Sequence, residues 1–581
     1  MTQTLHEHVH ERARAWAEAD PDPETRAEIL ALLAAGNEAE LAERLGKELD
    51  FGTAGLRGAV GAGPSRMNRA VLVRATRALA EHLLARLSDA RSLSVIVGYD
   101  ARPTSRTLAE AAAGVLLAAG VSVRWFDAPT PTPLVAYAAR VFSAASALVV
   151  TASHNPKGDN GLKIYDQHAC QMGAPDDADV ARRRDALGPA NAIPCVEALS
   201  ARRGALGATL TVLGPDLFRR YLAELDAALP ARLPSPALRI AYTPLHGVGR
   251  AAFEAALALR GFSDLHVVAS QAEPDGSFPT TEFPNPEVPG TLDAVLALAR
   301  DVRADLALAN DPDADRLAAA VREPSGRFLV LTGNELGVLL ADFVLREAPR
   351  LPPPLLVTSI VSSPLLARVA EGRGARFERT LTGFKWIWRA ARVLEGEGGT
   401  RFAFGCEEAL GYSVGHLVRD KDGVAAGVWL AELGERLRRE GKTLLERLHD
   451  IYREHGAWGS AQRSLTKPGA AGAAAIGRLL ERLAQNPPTE LLGRPRETFV
   501  DYREGAEQRA PWLAESALFE LTFAGGTRVL VRPSGTEPKL KVYADVTCPL
   551  AAGETPFSAA ARAKADAEGL AEALSLWLER E

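Results

Sequence analysis

Short apolar runs alternate along the chain with longer stretches in which small apolar residues recur at helical spacing. In the first series, the runs Leu93–Val97, Val121–Phe126 and Ala147–Val150 are separated by helical patterns at Thr107–Ala119 and Pro133–Arg140. Apolar runs of this length between helices are typical of buried strands in a parallel sheet. The pattern therefore predicts a βα repeat with right-handed crossovers.

The same order of elements recurs twice further along the chain. The second series has predicted strands and helices at Leu238–Tyr242, Arg250–Arg260, Leu265–Val268, Leu292–Arg300 and Ala304–Ala309. The third series has them at Leu355–Ile360, Leu365–Glu371, Arg376–Arg379 and Arg401–Phe404. Three copies of one supersecondary pattern predict three domains of similar architecture.

The last part of the chain follows a different pattern. Predicted strands at Trp458–Ser464, Leu518–Phe523 and Arg528–Val531, with a helix at Ala473–Ala484, favour an α+β domain there. The predicted fold class is α/β, with three similar βα-repeat domains of mixed, mostly parallel sheets and a C-terminal α+β domain around one central cleft. The predicted segments are a helical arm at 1–48, domains at 49–210, 211–324 and 325–455, and a C-terminal domain at 456–581.

The first series ends in a polar segment with a candidate reacting group. The strand at Ala147–Val150 leads into Thr151–Tyr165, which contains Ser153, Lys157 and Lys163. Open α/β sheets bind their ligands beyond the carboxyl ends of the strands. Ser153 is therefore the first candidate for a reacting group, and the two lysines are cations that could bind an anionic phosphate beside it.

The second series ends in three alternating carboxylates at Asp311, Asp313 and Asp315. Hard oxygen ligands at this spacing suit Mg²⁺, which binds few protein carboxylates and leaves room for a phosphate oxygen. An EF-hand would need a glycine and a terminal glutamate where this chain has Arg316 and Arg322. A helix-capping acidic turn is the other alternative, but three carboxylates together are costly without a cation.

The third series and the last domain end in two weaker signals. Glu407 and Glu408 follow the strand at Arg401–Phe404 and could accept hydrogen bonds from sugar hydroxyls, although paired glutamates are more often solvated. Arg532–Lys541 offers an arginine fork, hydroxyls and a glycine that lets backbone amides approach a phosphate. A polar hairpin loop explains that segment equally well when it is considered alone.

Composition narrows the class of protein. A chain of 581 residues with 47% hydrophobic and 24% charged residues is typical of a globular protein of several domains. The net charge of −6 gives no broad basic surface for nucleic acid, so anions must be bound by local cations. The four cysteines are scattered, the N-terminus lacks a signal-peptide pattern, and no apolar run is long enough to span a membrane. These features predict a cytoplasmic protein without a membrane or nucleic-acid partner, and no protein partner is inferred.

Six segments, taken in order, resemble motifs of the α-D-phosphohexomutase superfamily, which contains the phosphoglucomutases and phosphomannomutases. They are similar to an N-terminal motif, a phosphoserine loop, a metal loop, a substrate-contacting turn, a sugar loop and a phosphate loop. In this chain they are Phe51–Gly58, Thr151–Asn155, Asp311–Arg316, Thr382–Lys385, Cys406–Tyr412 and Arg532–Thr536. A full ordered set spanning nearly the whole chain is hard to obtain by chance.

The resemblance implies a mutase that carries a phosphoryl group on Ser153. Mg²⁺ would be held by the three aspartates and by an oxygen on the phosphorylated Ser153. Arg57 and Lys163 would lie near the transferred group, with Lys163 as general acid/base and His154 as a weaker second candidate. Because Mg²⁺ and Arg57 would be nearby, the pKa of Lys163 is expected to be lowered.

The resemblance also implies where a sugar monophosphate binds. Glu407 would bind the sugar hydroxyls. The residues implied to bind the substrate's phosphate are Arg532, Ser534, Gly535, Thr536 and Lys539. The other substrate-binding residues implied are Arg316, Thr382, Gly383 and Lys385. Transfer would proceed through a bisphosphate that turns around in the cleft, so glucose 1,6-bisphosphate is the expected intermediate and activator.

One position departs from the superfamily pattern and bears on the choice of sugar. Many members carry a serine where this chain has Ala409. The segments Tyr242–Gly247 and Asp420–Gly423 look closer to the branch of phosphoglucomutases and phosphopentomutases. Glucose 1-phosphate is therefore the favoured substrate, followed by a pentose 1-phosphate and then mannose phosphate.

Proteins of a different class remain as alternatives. A Mg²⁺-dependent sugar-phosphate phosphatase could use the same site, and a sugar-phosphate binding protein could have lost turnover. The intact serine and aspartates argue against such a loss. A serine hydrolase is disfavoured because Ser153 lacks the Gly-x-Ser-x-Gly turn.

Overall fold

The computed structural model of the chain describes residues 2–50, 52, 55–86, 93–467, 469–534 and 539–580. These residues form two compact units. The first unit comprises residues 1–320 and 416–428, and the second comprises residues 321–415 and 429–581. Within the described ranges, no helix combines the length and the apolar character needed to cross a membrane.

The first unit begins with the helices α1 (Thr2–Ala19), α2 (Pro23–Ala34) and α3 (Glu38–Gly46). The side chains of Asp22 and Asn37 cap α2 and α3 by accepting hydrogen bonds from backbone amides of the first turn. The helices share a small apolar core that also includes Ala62, which follows the next strand. The arm is thus packed onto the first α/β domain.

The first sheet forms the centre of that domain. Its strands are β1 (Leu56–Ala59), β2 (Ser94–Tyr99), β3 (Ser122–Trp125), β4 (Ser146–Val150), β5 (Asp159–Tyr165) and β6 (Leu210–Val212). They are ordered β1-β5-β4-β2-β3-β6, with parallel pairing from β4 to β6 and antiparallel pairing from β1 to β4. The accompanying helices are α4 (Arg69–Arg86), α5 (Ser105–Ala118), α6 (Thr132–Val141), α7 (Asp176–Ala186) and α8 (Ala198–Ala201).

The second sheet follows after α9 (Pro215–Ala228). Its elements are β7 (Ile240–Thr243), α10 (Arg250–Leu259), β8 (Leu265–Val267), α11 (Asp293–Asp301), β9 (Leu306–Asn310) and β10 (Leu317–Arg322). Strands β8, β7 and β9 are parallel neighbours. The end of β10 and β11 (Phe328–Val330) belong to the second unit, where the Glu323 amide donates to the Arg327 carbonyl and closes the turn between them (2.8 Å).

The third sheet lies in the second unit. Its strands are β12 (Pro354–Ser359), β13 (Arg376–Thr380), β14 (Arg401–Glu407) and β15 (Gly411–Val414), and its order is β13-β12-β14-β15. β12 pairs in parallel with β13 and β14, whereas β15 is antiparallel. The helices of this region are α12 (Gly333–Glu347), α13 (Leu365–Gly372), α14 (Phe384–Gly396) and α16 (Leu444–His455). Helix α15 (Gly423–Arg439) begins in the first unit and belongs to the second unit from residue 429 onward.

The fourth sheet is entirely antiparallel, in the order β16-β21-β20-β19-β18-β17. Its elements are β16 (Ala457–Thr466), α17 (Gly469–Gln485), β17 (Glu490–Leu491), β18 (Arg494–Asp501), β19 (Phe519–Phe523), β20 (Thr527–Pro533), β21 (Lys539–Cys548) and α18 (Pro556–Glu579). Apolar side chains of the strands and of both helices form one core. This is the α+β arrangement predicted for the end of the chain.

The predicted fold class is confirmed for its repeated α/β sheets and its different last domain. The predicted strands and helices of the three series are present, with most bounds shifted by one or two residues. One element needs correction. The third strand of the third series was predicted to end at Phe404, but β14 continues to Glu407, so Cys406 and Glu407 are strand residues rather than loop residues.

Candidate active site

Ser153 lies in a buried turn directly after β4. Its backbone φ of 52° places it in the left-handed region, which is uncommon for a residue other than glycine. The Ser153 amide donates to Thr151 Oγ1 (2.8 Å), and Thr151 Oγ1 donates to Asp100 Oδ2 (2.7 Å). Since Ser153 is only 1% exposed, its hydroxyl is fixed inside the protein rather than displayed on a surface loop.

The three aspartates follow β9 and meet Ser153. Ser153 Oγ donates a hydrogen bond to Asp311 Oδ2 (2.8 Å). One ligand oxygen from each of Asp311, Asp313 and Asp315 lies within 4.8 Å of the others, and all three residues are buried. Thr132, at the start of α6, donates from its hydroxyl to Asp313 Oδ2 (2.7 Å) and helps to fix that carboxylate.

The aspartate cluster fits a divalent cation. Among the described residues, Asp313 Oδ1 and Asp315 Oδ1 are buried and have no hydrogen-bond partner. A buried carboxylate oxygen without a partner is costly, and Mg²⁺ is a hard cation that would satisfy such oxygens. Burial and the two neighbouring carboxylates raise the pKa of Asp311 well above its usual range, a repulsion that a bound cation would relieve.

Lys163 lies on β5 and reaches the same cluster. Its Nζ donates to Asp313 Oδ2 and to Asp315 Oδ2, both at 2.6 Å, and the side chain is 1% exposed. Burial alone would lower the pKa of Lys163, but the two carboxylates outweigh it, so among the protein's own groups this pKa is raised. The lowered pKa predicted from the sequence depends on a bound Mg²⁺ and stays a prediction. Among the protein's own groups, the two carboxylates hold Lys163 as an ammonium.

A second lysine, Lys421, which was not predicted from the sequence, also contacts the cluster. Its Nζ lies 3.2 Å from Asp315 Oδ2 and 3.3 Å from Asp420 Oδ1. Asp420 is fixed in turn by hydrogen bonds from Tyr165 Oη (2.6 Å) and Gln171 Nε2 (2.7 Å). The sequence signal for Lys421 is the charged run at Asp420–Asp422, directly before α15.

His154 and Arg57 both contact residues of the serine turn. His154 Nδ1 is 3.1 Å from Ser153 Oγ. Burial and the neighbouring Arg316 and Arg57 lower the pKa of His154 well below its usual value, so the imidazole is neutral and can accept the serine proton. Arg57 lies on β1 and donates from Nη1 to Asn155 Oδ1 (3.2 Å), which brings its charge to the same turn.

Arg316 is tied to the metal loop through its backbone. Its amide donates to Asp311 Oδ1 (3.0 Å), while its guanidinium pairs with Glu287 Oε2 (3.2 Å). This pair occupies one nitrogen of the guanidinium, and the role of the side chain in substrate binding stays a prediction. Lys157, the other lysine of the serine segment, pairs with the exposed Glu282 rather than with the aspartates.

In the second unit, Glu407 lies at the end of β14 beside the predicted substrate-contacting turn. Its Oε1 accepts a hydrogen bond from the Gly383 amide (2.6 Å), and Gly383 has a φ of 121° that favours glycine. Thr382 precedes this glycine, and Lys385 lies in the first turn of α14. The structure therefore brings Glu407 and the Thr382–Gly383 turn together.

Glu408, the second glutamate of the pair, points to a different neighbour. Its Oε2 accepts a hydrogen bond from Ser359 Oγ (3.0 Å) at the end of β12. Ala409 follows in the turn between β14 and β15. The two glutamates are thus held by separate parts of the third α/β domain, which distinguishes them from a solvated acidic face.

The phosphate-binding candidates lie at one end of the β20–β21 hairpin. Arg532 is half-buried, and its Nη2 and Nε donate to Tyr543 Oη (3.1 and 3.3 Å). The Ser534 amide donates to the Lys539 carbonyl (2.7 Å). The two remaining candidates, Gly535 and Thr536, lie outside the described residues.

Family models match most of the chain. The first three α/β/α domains of phosphoglucomutase/phosphomannomutase match residues 48–187, 219–326 and 332–455. The C-terminal domain of the same family matches residues 500–555. The order of the matches is the order of the four sheets described above.

Curated relatives agree with these matches. A Haemophilus influenzae protein named "Probable phosphomannomutase" is 36% identical over 82% of this chain and 93% of its own length. A phosphopentomutase of Mus musculus is 33% identical, with 90% and 88% covered. A phosphoglucomutase of Staphylococcus epidermidis is 30% identical, with 88% and 92% covered. The chain therefore belongs to the phosphoglucomutase/phosphomannomutase family, within the α-D-phosphohexomutase superfamily.

The solved structures support the fold. The crystal structure of parafusin, a phosphoglucomutase of Paramecium, in its open form has a TM-score of 0.67 with this chain and covers 91% of it and 96% of its own length. At 17% sequence identity, this likeness bears on the fold alone.

Proposed function

We propose that this protein is a phosphosugar mutase that interconverts glucose 1-phosphate and glucose 6-phosphate through a phosphoserine. The observation that carries the proposal is the buried Ser153 hydroxyl bonded to Asp311 (2.8 Å), in a cluster of three carboxylates whose other two members bind Lys163. A serine in this setting is suited to carry a doubly charged phosphoryl group next to a bound cation.

The aspartates and an oxygen on the phosphorylated Ser153 are proposed to hold Mg²⁺. When bound, Mg²⁺ would supply positive charge against the charge that develops on the phosphoryl oxygens. The residues of the chain then have the task of positioning the serine and of excluding water. Both follow from the burial of Ser153 and of the three carboxylates.

Phosphoryl transfer needs one proton donor and one proton acceptor, and Lys163 and His154 are proposed for these two roles. As the bond between phosphorus and Ser153 Oγ breaks, a new bond forms to the C6 oxygen of glucose 1-phosphate, whose hydroxyl loses a proton. Lys163, held as an ammonium by two carboxylates, is proposed to donate a proton to Ser153 Oγ as that oxygen leaves phosphorus. The neutral imidazole of His154 is proposed to accept the proton that the C6 hydroxyl loses. Arg57 is proposed to stabilise the transferred group. The product is glucose 1,6-bisphosphate, and the reverse transfer from its C1 oxygen gives glucose 6-phosphate and restores the phosphoserine.

The residues of the second unit are proposed to recognise the substrate. Glu407, which already accepts a bond from the Gly383 amide, would bind sugar hydroxyls. Arg532 would bind the non-reacting phosphate. The other proposed substrate-binding residues are Arg316, Thr382, Gly383, Lys385, Ser534, Gly535, Thr536 and Lys539.

A second candidate substrate is a pentose 1-phosphate. Sequence identity favours this substrate slightly. The Mus musculus phosphopentomutase is 33% identical to this chain, and the Staphylococcus epidermidis phosphoglucomutase is 30% identical. Ala409 also leaves the sugar site without a serine that is common in the superfamily, so one hydroxyl contact is missing. The reaction at Ser153 would be the same for both substrates.

The proposed reaction is tested with the purified protein, Mg²⁺ and a trace of glucose 1,6-bisphosphate, to which one sugar phosphate is added at a time. Glucose 1-phosphate, ribose 1-phosphate and mannose 1-phosphate are compared, and both the isomerised product and free phosphate are measured. Fast conversion of glucose 1-phosphate without phosphate release is expected. A strong preference for ribose 1-phosphate would replace the proposed substrate, and phosphate release without isomerisation would overturn the mutase.

A further inference from the structure

Arg102 binds the turn that carries Ser153 with all four of its terminal N–H groups. Nη2 donates to the carbonyls of Ser153 (2.8 Å) and Asn155 (2.7 Å). Nη1 donates to the carbonyls of Pro156 and Asp159, both at 2.8 Å. The side chain is buried, so one guanidinium fixes the path of the backbone from residue 153 to residue 159.

Asp100 contacts Arg102 and is linked through Thr151 to the backbone N–H of Ser153. Arg102 Nε lies 3.4 Å from Asp100 Oδ2, which also accepts the hydrogen bond from Thr151 Oγ1. Thr151 Oγ1 in turn accepts from the Ser153 amide. The backbone of Ser153 is therefore held at its N–H by Thr151 and at its carbonyl by Arg102, which is the type of support that a left-handed serine requires.

A segment of the second α/β domain covers Arg102. The Phe278 ring lies over the guanidinium, with 5.1 Å between its centroid and Cζ. Gly276 approaches so closely that a Cβ there would lie 2.4 Å from Arg102 Cα and 2.5 Å from the Ala101 carbonyl oxygen. Because Phe278 is also buried, the guanidinium bonds are shielded from water, which strengthens them.

The covering segment also leads to the metal loop. The Asp275 amide donates to the His246 carbonyl (2.9 Å), and the next residue, Gly247, contacts the backbone of Pro312. A Cβ at Gly247 would lie 2.4 Å from Pro312 Cα, so only glycine fits this contact. The serine turn and the aspartate loop are thus joined by a second route, besides the direct bond between Ser153 and Asp311.

We propose that Arg102 is a positioning residue for phosphoryl transfer, which holds Ser153 in its left-handed conformation and in register with the aspartate loop. The proposal rests on the proposed function of Ser153 and adds a residue that does not itself touch the reacting atoms. A lysine cannot replace this arginine, because a single ammonium cannot reach four carbonyls that a planar fork spans.

The first test compares Arg102→Lys with the wild-type enzyme at saturating Mg²⁺. The expected result is a kcat lower by about 10- to 100-fold, with KM for the sugar phosphate within about threefold, because a small misplacement of a reacting group is costly for the chemical step. Release of free phosphate per turnover is expected to rise, since a loosened phosphoserine is more open to water.

Arg260→Lys is the matched control. Arg260 is also a buried arginine that bonds a carbonyl (Pro230, 2.7 Å) and a carboxylate (Asp226, 2.9 Å), but it has no part in the proposed reaction. Its replacement is expected to lower the melting temperature and to leave kcat unchanged. If both lysine variants lose kcat in proportion to stability, Arg102 is merely structural and the proposal is wrong.

A second variant and a second measurement separate this proposal from the proposed function. Thr151→Val keeps the shape of the side chain and removes the acceptor of the Ser153 amide, and we expect it to lower kcat in the same direction. Hydrogen exchange of the peptide covering residues 151–159 is expected to be faster in Arg102→Lys, whatever the enzyme acts on. Unchanged exchange would overturn the proposal, whereas faster exchange in a protein without mutase activity would overturn only the proposed function.

Discussion

The groups proposed to carry out phosphoryl transfer and those proposed to recognise the sugar phosphate are held in different ways. Ser153, Lys163 and the three aspartates are at most 1% exposed and bind one another through charge. Glu407 and Arg532 are only partly buried, and their described bonds go to a backbone amide and a tyrosine hydroxyl. The first region is a fixed charged cluster, and the second keeps part of its surface available for a ligand.

This difference follows from the two tasks. Transfer of a phosphoryl group depends on positioning and electrostatics, which are strongest where water is excluded. Recognition in a mutase has to accept two orientations of one sugar, so partly exposed carboxylate and guanidinium groups serve it better than a closed apolar pocket. Substitutions in the first region should therefore act on kcat, and those in the second on the preference between substrates.

The largest effect is expected for Ser153→Ala. Without the hydroxyl there is no acceptor for the phosphoryl group, and turnover should fall at least about 10³-fold while the melting temperature changes little. The coupled assay with glucose 1-phosphate measures the loss. Ser575→Ala, which removes another buried serine hydroxyl bonded to a helical carbonyl, is the control and should be fully active. Substantial residual activity of Ser153→Ala would remove the distinction between the two regions.

Removal of the metal should have the next largest effect. With EDTA, activity is expected to fall at least about 100-fold and to return with added Mg²⁺, because the buried carboxylates lose the cation that balances them. A titration of Mg²⁺ against activity measures the affinity. Asp313→Asn should shift this titration to higher Mg²⁺, and full activity in the chelator would contradict the role proposed for the aspartates.

Ala409→Ser tests the recognition region with a smaller expected effect. The added hydroxyl is expected to change the ratio of kcat/KM between glucose 1-phosphate and ribose 1-phosphate by about tenfold, the usual scale for one hydrogen bond in a binding site. The kcat for the better substrate should stay within a few-fold. Ala524→Ser, in a turn of the fourth sheet, controls for a general effect of the substitution. An unchanged ratio of the two kcat/KM values would show that the turn containing residue 409 does not contact the sugar hydroxyls.

The smallest effect concerns stability rather than activity. Burial raises the pKa of Asp422 to about 6, whereas an aspartate in the unfolded chain titrates near 3.9. Between these values the folded state binds the extra proton, so its stability falls as the pH rises, by up to about 3 kcal/mol above pH 6. Asp422→Asn removes this penalty. Its single amide oxygen, at the position of Oδ1, can still accept from the Ala425 amide (2.9 Å) and from the Tyr221 hydroxyl (3.1 Å).

Thermal unfolding from pH 4 to pH 8 measures that prediction. Relative to the wild type, Asp422→Asn should gain stability as the pH rises from 4 to 6 and then keep a constant advantage. Asp301→Asn, at an exposed helix end, is the control and should give no such trend. A difference in stability that does not depend on pH would contradict the raised pKa.

Two of the strands predicted from the sequence are continuous apolar runs, whereas two of the strands that were not predicted carry many polar residues. The run ending at Val150 and the run ending at Ala309 are buried on both faces, so they read as continuous apolar segments. β21 alternates lysine, tyrosine and aspartate with apolar residues, and β18 is mostly polar, so neither was predicted. The extension of β14 was missed because its last residues, Cys406 and Glu407, were interpreted as part of the sugar loop.

Site residues that are distant from one another along the chain are harder to predict from the sequence. Ser153 and the three aspartates were predicted because each follows an apolar strand within a few residues. Lys421 reaches the aspartates from a segment more than 100 residues away along the chain, and only the fold brings it there. The ion pairs that hold Lys163 as an ammonium could not be predicted, because the sequence does not show that two carboxylates lie 2.6 Å from its nitrogen.

The return of residues 416–428 to the first unit has a consequence for protein synthesis. A ribosome completes the serine turn and the aspartate loop long before it adds Lys421 and Asp420. During that interval the nascent chain holds the acidic cluster without the second lysine, and Tyr165 and Gln171 lack the carboxylate that they bind in the finished protein. A truncated product that ends before residue 420 therefore carries Ser153 without Asp420 and Lys421, so the proposed site is complete only once translation has passed residue 421.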